Sequence, residues 1–156
     1  MDNKWKSRFI EAAKMVGSWS KDPSTKVGAV LVNPETRTII STGYNGFPRG
    51  VEDYDFRLDD REVKYKLVVH AEANAITQAA RDGISTVNSW LFISPLPPCS
   101  SCAGLLAQAG VTKVLISEED FKGKNARWVE DYLQNTSTIF KESGIDLEIV
   151  HEWDES

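Results

Sequence analysis

His70 and Glu72 stand two residues apart in His-Ala-Glu, and Cys99 and Cys102 three apart in Pro-Cys-Ser-Ser-Cys, residues 98–102. One imidazole and two thiolates make three zinc ligands. Three protein ligands leave a fourth position for water, which marks a catalytic zinc; a structural zinc takes four ligands from the protein. Zinc brings the pKa of bound water to about 7. A carboxylate close to that water but off the metal, as Glu72 would be, can move its protons. The set fits hydrolysis at an electrophilic carbon.

Each residue alone has a plainer reading. A lone Cys-x-x-Cys in a reducing compartment can be a redox pair. A lone histidine before an alanine-rich segment packs or caps, and a lone Glu72 is a solvated helix charge. Read together, with Pro98 before Cys99, they point to a metal centre. His151 is the only other histidine; it lies in an acidic tail and reads as a surface residue. With two cysteines and two histidines, the chain cannot build a second site of this quality, so one zinc per chain is expected.

The elements around these residues must bring them together. Cys99 and Cys102 open a helix predicted roughly over 99–109, and residues at i and i+3 share a helix face. The helix start favours thiolates, and so does zinc. His70 opens a second helix over 70–82, rich in alanine, with Gly83 suited to end it. Between His70 and Cys99 there is room for one helix and one strand. That suffices to bring two helix starts to one sheet edge.

Upstream, Trp5, Phe9, Ala12, Ala13, Val16 and Trp19 recur at helical spacing over 4–19. Asp22-Pro23-Ser24 ends that helix. Residues 27–32 and 37–42 read as a hairpin around a turn at 33–35. Residues 43–62 read as a long loop, of the kind more often functional than idle. Strands over 90–94, 114–117 and 147–150, a helix over 125–142 and a fraying tail from His151 complete the chain. The alternation predicts an α/β layered fold with a buried sheet, as one domain over 1–156.

Bulk properties narrow the partners. The 156 residues carry a net charge of −5, with 41% hydrophobic and 26% charged residues. No basic block is present, which argues against a long nucleic-acid substrate; a single nucleotide needs only a few local cations. Met1 to Met15 lacks an apolar run of signal type, and no stretch approaches the ~20 apolar residues of a membrane span. A cytoplasmic location, where thiols stay reduced, is expected.

Over roughly Ser20 to Phe121 the chain resembles the deoxycytidylate (dCMP) deaminase family. The zinc motifs are shared across the cytidine and deoxycytidylate deaminase superfamily. More specific are Lys21-Asp22-Pro23-Ser24-Thr25-Lys26-Val27-Gly28-Ala29 and Gly43-Tyr44-Asn45-Gly46-Phe47-Pro48. The resemblance implies a three-layer α/β/α fold with a central five-stranded mixed sheet. It implies hydrolysis of dCMP to dUMP and ammonia, with zinc held by His70, Cys99 and Cys102 and Glu72 catalytic. Asn45 and the Ala71 backbone would contact substrate. Lys26 is the candidate substrate cation, with Arg49 and Lys122 as further phosphate candidates; Phe121 is a candidate for packing on the base. The resemblance also implies a homo-hexamer, activated by dCTP and inhibited by dTTP with magnesium. Tyr44, Gly46, Phe47 and Arg49 would serve that regulation. Some viral members carry a second, structural zinc whose ligands are absent here. A nucleic-acid deaminase of the same superfamily and a non-enzymatic zinc or thiol module stand as the alternatives.

Overall fold

A computed structural model describes residues 1–122 and 130–151. Helix α1 spans Asn3–Gly17, started by the Asp2 carboxylate, which accepts from Trp5 N at 3.0 Å. It stops two residues short of the predicted end, leaving Trp19 outside the helix. Strands β1 (Gly28–Asn33) and β2 (Thr38–Tyr44) form the predicted hairpin.

The stretch read as a loop over 43–62 is more ordered than expected. It begins with the end of β2 and holds a short helix, α2 (Asp55–Asp59), and the start of a second, α3 (Arg61–Leu67). Asp60 starts α3, its carboxylate accepting from Glu62 N at 3.1 Å and Val63 N at 3.3 Å. Charges crowd this stretch, so no apolar period announces it. Gly46 and Val69 exchange two backbone hydrogen bonds, 3.1 and 2.8 Å, that close the excursion at its neck.

Helix α4 (Ala71–Asp82) ends at Gly83, whose φ of 71° is the left-handed cap glycine adopts readily. Then come β3 (Trp90–Ser94), α5 (Ser100–Gln108), β4 (Lys113–Ser117) and α6 (Glu118–Lys122). A π-helical turn, Tyr132–Thr136, leads into α7 (Ser137–Ser143) and β5 (Asp146–Val150). Of the helix expected over 125–142, residues 125–129 lie outside the described residues, as do residues 152–156 of the tail.

The sheet order is β2-β1-β3-β4-β5. β1 is antiparallel to both β2 and β3, while β3, β4 and β5 run parallel. Successive strand residues face opposite sides. Ala29, Leu31, Leu91, Ile93 and Val114 pack on one side with Ala71, Ala75, Ala103, Leu106 and Phe140 of α4, α5 and α7. Val30, Val32, Phe92 and Leu115 pack on the other with Phe9, Ile10, Ala13 and Val16 of α1. The layers are therefore helix, five-stranded mixed sheet, helix. None of the described helices is long and apolar enough to cross a membrane.

This topology fixes where chemistry can gather. Helix α4 leads into β3 and α5 leads out of it, both on the same side, so both helix starts lie beyond the C-terminal end of β3. There Ser94 pairs with Gly28, and Gly28 with Tyr44. The segments before β1 and after β2 thus reach the same edge.

Candidate active site

His70 and Cys99 occupy the N-cap positions of α4 and α5, with extended backbones, and neither side chain caps its helix. Their carbonyls instead accept the first helical bonds, from Asn74 N and Ala103 N. The side chains are left to face one another. His70 Nδ1 lies 3.5 Å from the sulfurs of both Cys99 and Cys102. All three donor atoms fall within 4.8 Å of each other, the only such cluster of potential metal ligands among the described residues.

The donor set fits zinc. Tetrahedral bonds of about 2.3 Å to sulfur and 2.0–2.1 Å to nitrogen put those donors about 3.6 Å apart. The observed separations match, so the cluster needs little movement to close on an ion. Thr136 steadies it from the C-terminal side: its buried hydroxyl donates to Pro98 O at 3.0 Å, just before Cys99.

Electrostatics point the same way. Hydrogen bonds from Cys102 and then His70 outweigh burial and pull the Cys99 thiol down to about 4. Cys102 is pushed up by the hydrogen bond it gives Cys99 and by burial, so one proton remains on the pair. The bond with Cys99 raises His70. A cation at the centre would take the place of these protons. Glu72 is 4% exposed, and burial raises its carboxyl above the ordinary range. That is the direction a group needs to both take and give protons near neutrality.

His70, Ala71, Glu72 and Cys99 open into a cavity of about 350 Å³. Asn45 forms part of its wall. Its Oδ1 accepts from Val27 N at 2.8 Å and its Nδ2 donates to Thr25 O at 2.9 Å, which ties the segment before β1 to the end of β2. Lys26 is exposed and does not line this cavity. Arg49 Nη2 donates to Gln78 Oε1 at 2.6 Å on the surface. Tyr44, Gly46 and Phe47 line a second, smaller cavity of about 150 Å³, which shares Asp22, Asn45 and Lys64 with the first. The side chains of Phe121 and Lys122 lie outside the described residues. His151 sits apart from the cluster, 2.7 Å from Glu118.

Four ionisable cavity residues were not named as site residues from the sequence: Asp22, Arg61, Lys64 and Tyr65. Lys64 Nζ lies 3.3 Å from Asp22 Oδ1, with both side chains at least nine-tenths buried. The same Asp22 oxygen accepts from Ser24 N and Thr25 N. The sequence signal was faint: Asp60 before a short Val63–Leu67 pair at helical spacing.

The chain matches the family model for the cytidine and deoxycytidylate deaminase zinc-binding region over residues 3–118. It is 42% identical over 149 residues to the "Uncharacterized deaminase in luxG 3'region" of Aliivibrio fischeri, covering 94% of each chain. It is 33% identical over 125 residues to deoxycytidylate deaminase of Homo sapiens, covering 75% of this chain and 66% of that one. It thus spans about two thirds of the human protein. Its structure superposes on that of dCMP deaminase from the cyanophage S-TIM5 in complex with dCMP and dUMP. There the TM-score is 0.74 at 25% identity, covering 96% of this chain and 99% of that one. With residues 3–118 matched and the His/Cys/Cys cluster assembled beside a buried glutamate, this chain belongs to the cytidine and deoxycytidylate deaminase family.

Proposed function

We propose that the whole chain works as one deaminase domain that hydrolyses dCMP to dUMP and ammonia. The observation that carries this is the buried Glu72 beside the His70, Cys99 and Cys102 donors, with His70, Glu72 and Cys99 lining one cavity. The human and cyanophage relatives, both named for dCMP deamination, support the substrate.

His70, Cys99 and Cys102 would hold the zinc, which when bound supplies a Lewis acid that makes water a nucleophile near neutral pH. Glu72 takes the proton of the attacking water and delivers it to the ring nitrogen of the pyrimidine. It then takes the proton of the hydroxyl now on the ring carbon and passes it to the amine, which leaves as ammonia as the carbonyl of dUMP forms. Burial of Glu72 suits this shuttle, because a raised pKa lets the carboxyl hold the proton between steps. The Ala71 backbone, buried at the cavity floor, serves the pyrimidine carbonyl, and Asn45 orients the sugar or base.

Regulation by dCTP and by dTTP with magnesium belongs to the same reading. The cavity at Tyr44, Gly46 and Phe47 supports it, because it shares walls with the catalytic one. Exposed Leu105 and Met15 offer apolar surface that a homo-oligomer would cover, six copies by the family resemblance. Free thiols at Cys99 and Cys102 suit the cytoplasm.

The test is a substrate panel of cytidine, CMP, dCMP, dCTP, 5-methyl-dCMP and a tRNA anticodon stem, with and without dCTP or dTTP. Wild type should release ammonia fastest from dCMP. Glu72→Ala should retain one zinc per chain and lose nearly all turnover, while Cys99→Ala should lose the metal. A zinc-replete Glu72→Ala chain with normal turnover would overturn the reading.

A further inference from the structure

A nucleoside monophosphate brings two negative charges into the cavity, and the catalytic cluster has no cation to spare for them. Among the described cavity residues, the cations away from that cluster are Arg61 and Lys64, both on α3. Lys64 is already engaged. Its ammonium is buried against Asp22 at 3.3 Å, and moving it to a ligand would strand a buried carboxylate.

Arg61 is in the opposite condition. No carboxylate pairs with it among the described residues. Its Nε donates to Tyr65 Oη at 2.9 Å, one turn along the same helix, and its guanidinium carbon lies 5.5 Å from the Tyr65 ring centroid. Tyr65 therefore fixes one edge of the guanidinium. The other edge, Nη1 and Nη2, has no protein partner among the described residues. An oriented fork of N–H donors is the geometry that phosphate oxygens accept best.

The placement also fits. Arg61 begins α3 and Leu67 ends it, so about 9 Å of helix rise separates Arg61 from the strand-like segment that delivers His70. A pyrimidine nucleotide spans a comparable length from its amine-bearing carbon to its phosphorus. Two of the cations singled out from sequence are placed less well. Lys26 lies off the cavity, and Arg49 is bonded to Gln78.

We infer that Arg61, oriented by Tyr65, binds the 5′-phosphate of the substrate and sets the preference for nucleotide over nucleoside. This rests on the monophosphate reading above. The test compares kcat and KM of wild type, Arg61→Gln and Arg61→Lys on dCMP and on deoxycytidine. Loss of one charged hydrogen-bonding partner predicts a rise of about 10- to 100-fold in KM for dCMP, with kcat little changed. The ratio of kcat/KM for dCMP over deoxycytidine should fall by the same factor in Arg61→Gln. Arg61→Lys, which keeps charge but not the fork, should lie between. An unchanged KM for dCMP, or equal losses on both substrates, overturns the assignment. A wild-type chain that does not turn over dCMP at all overturns the substrate reading, and the assignment with it.

Discussion

Gly43→Ala should cripple the metal centre without touching a single metal ligand. Gly43 lies on β2, opposite Ala29, and the backbone of α4 runs directly over it. A Cβ built at Gly43 would sit well inside contact distance of Ala71 O and Ala75 N. Both atoms are helix backbone, so no side chain can swing away. Restoring ordinary van der Waals contact requires α4 to retreat by about 1 Å. Two hydrogen bonds resist that: Ser41 Oγ donates to Ala75 O at 2.7 Å and Asn74 Nδ2 to Tyr44 O at 2.8 Å. Overpacking of this kind costs about 1–3 kcal/mol of stability. The retreat takes His70 and Glu72 away from Cys99 and Cys102, which ride on α5. A misplacement of about 1 Å at a catalytic centre costs on the order of 100-fold in rate. The assay pairs urea unfolding with kcat and with zinc loss to a chelator. Gly104→Ala, on α5 with nothing near its Cβ, is the control and should stabilise by roughly 0.5–1 kcal/mol. A Gly43→Ala chain that keeps wild-type stability, zinc and kcat would refute the claim that this contact sets the position of α4.

Lys64→Met should destabilise the chain by about 3 kcal/mol, the low end for breaking a buried pair, because Ser24 N and Thr25 N still satisfy Asp22. Urea unfolding of Lys64→Met, Asp22→Asn and the double variant should show the double losing less than the sum; strict additivity would deny the coupling. Glu148 makes a pH-dependent contribution: burial pushes its carboxyl up, but Lys6 at 2.8 Å and Lys113 at 3.4 Å outweigh that and hold it below its usual range. Folding therefore lowers its pKa, so its stabilisation is present above the usual glutamate range and is lost as pH falls through the folded value. Because the pair is partly solvated, the effect is under about 1 kcal/mol and weakens with salt. Melting temperatures of wild type and Glu148→Gln should differ at pH 7 and converge toward pH 3; a gap that persists there would contradict the assignment.

The His70, Cys99 and Cys102 cluster was legible because its spacings are local. His70 and Cys99 each sit at a helix start, and the helices announce themselves through runs of alanine. That the two starts meet follows from strand alternation, which the apolar runs at 27–32, 90–94 and 114–117 displayed. Helix α3 was not legible. Its sequence, Arg-Glu-Val-Lys-Tyr-Lys-Leu, offers one short apolar pair, and what holds it is the Asp60 cap and a Lys64–Asp22 contact between residues 42 apart. Such a contact leaves no periodic trace. For the same reason Lys26 looked the better cation: it stands beside a recognisable motif, whereas Arg61 reaches the cavity only once α3 has formed. The π-helical turn that brings Thr136 to Pro98 left no sign in the sequence either.

The pair of backbone bonds between Gly46 and Val69 makes the intervening chain a closed module. Apart from Lys64, whose buried pair with Asp22 anchors it, the chain between those residues can lengthen, shorten or change sequence without shifting the frame in which His70 is delivered, since a doubling of loop length costs only about 0.6 kcal/mol in closure entropy. The excursion that carries Arg61 and the helix start that carries His70 are thus mechanically separate pieces of the molecule. Lineages can drift in the first while holding the second constant, and a designer can graft a new excursion onto the same neck to present the zinc with a different ring.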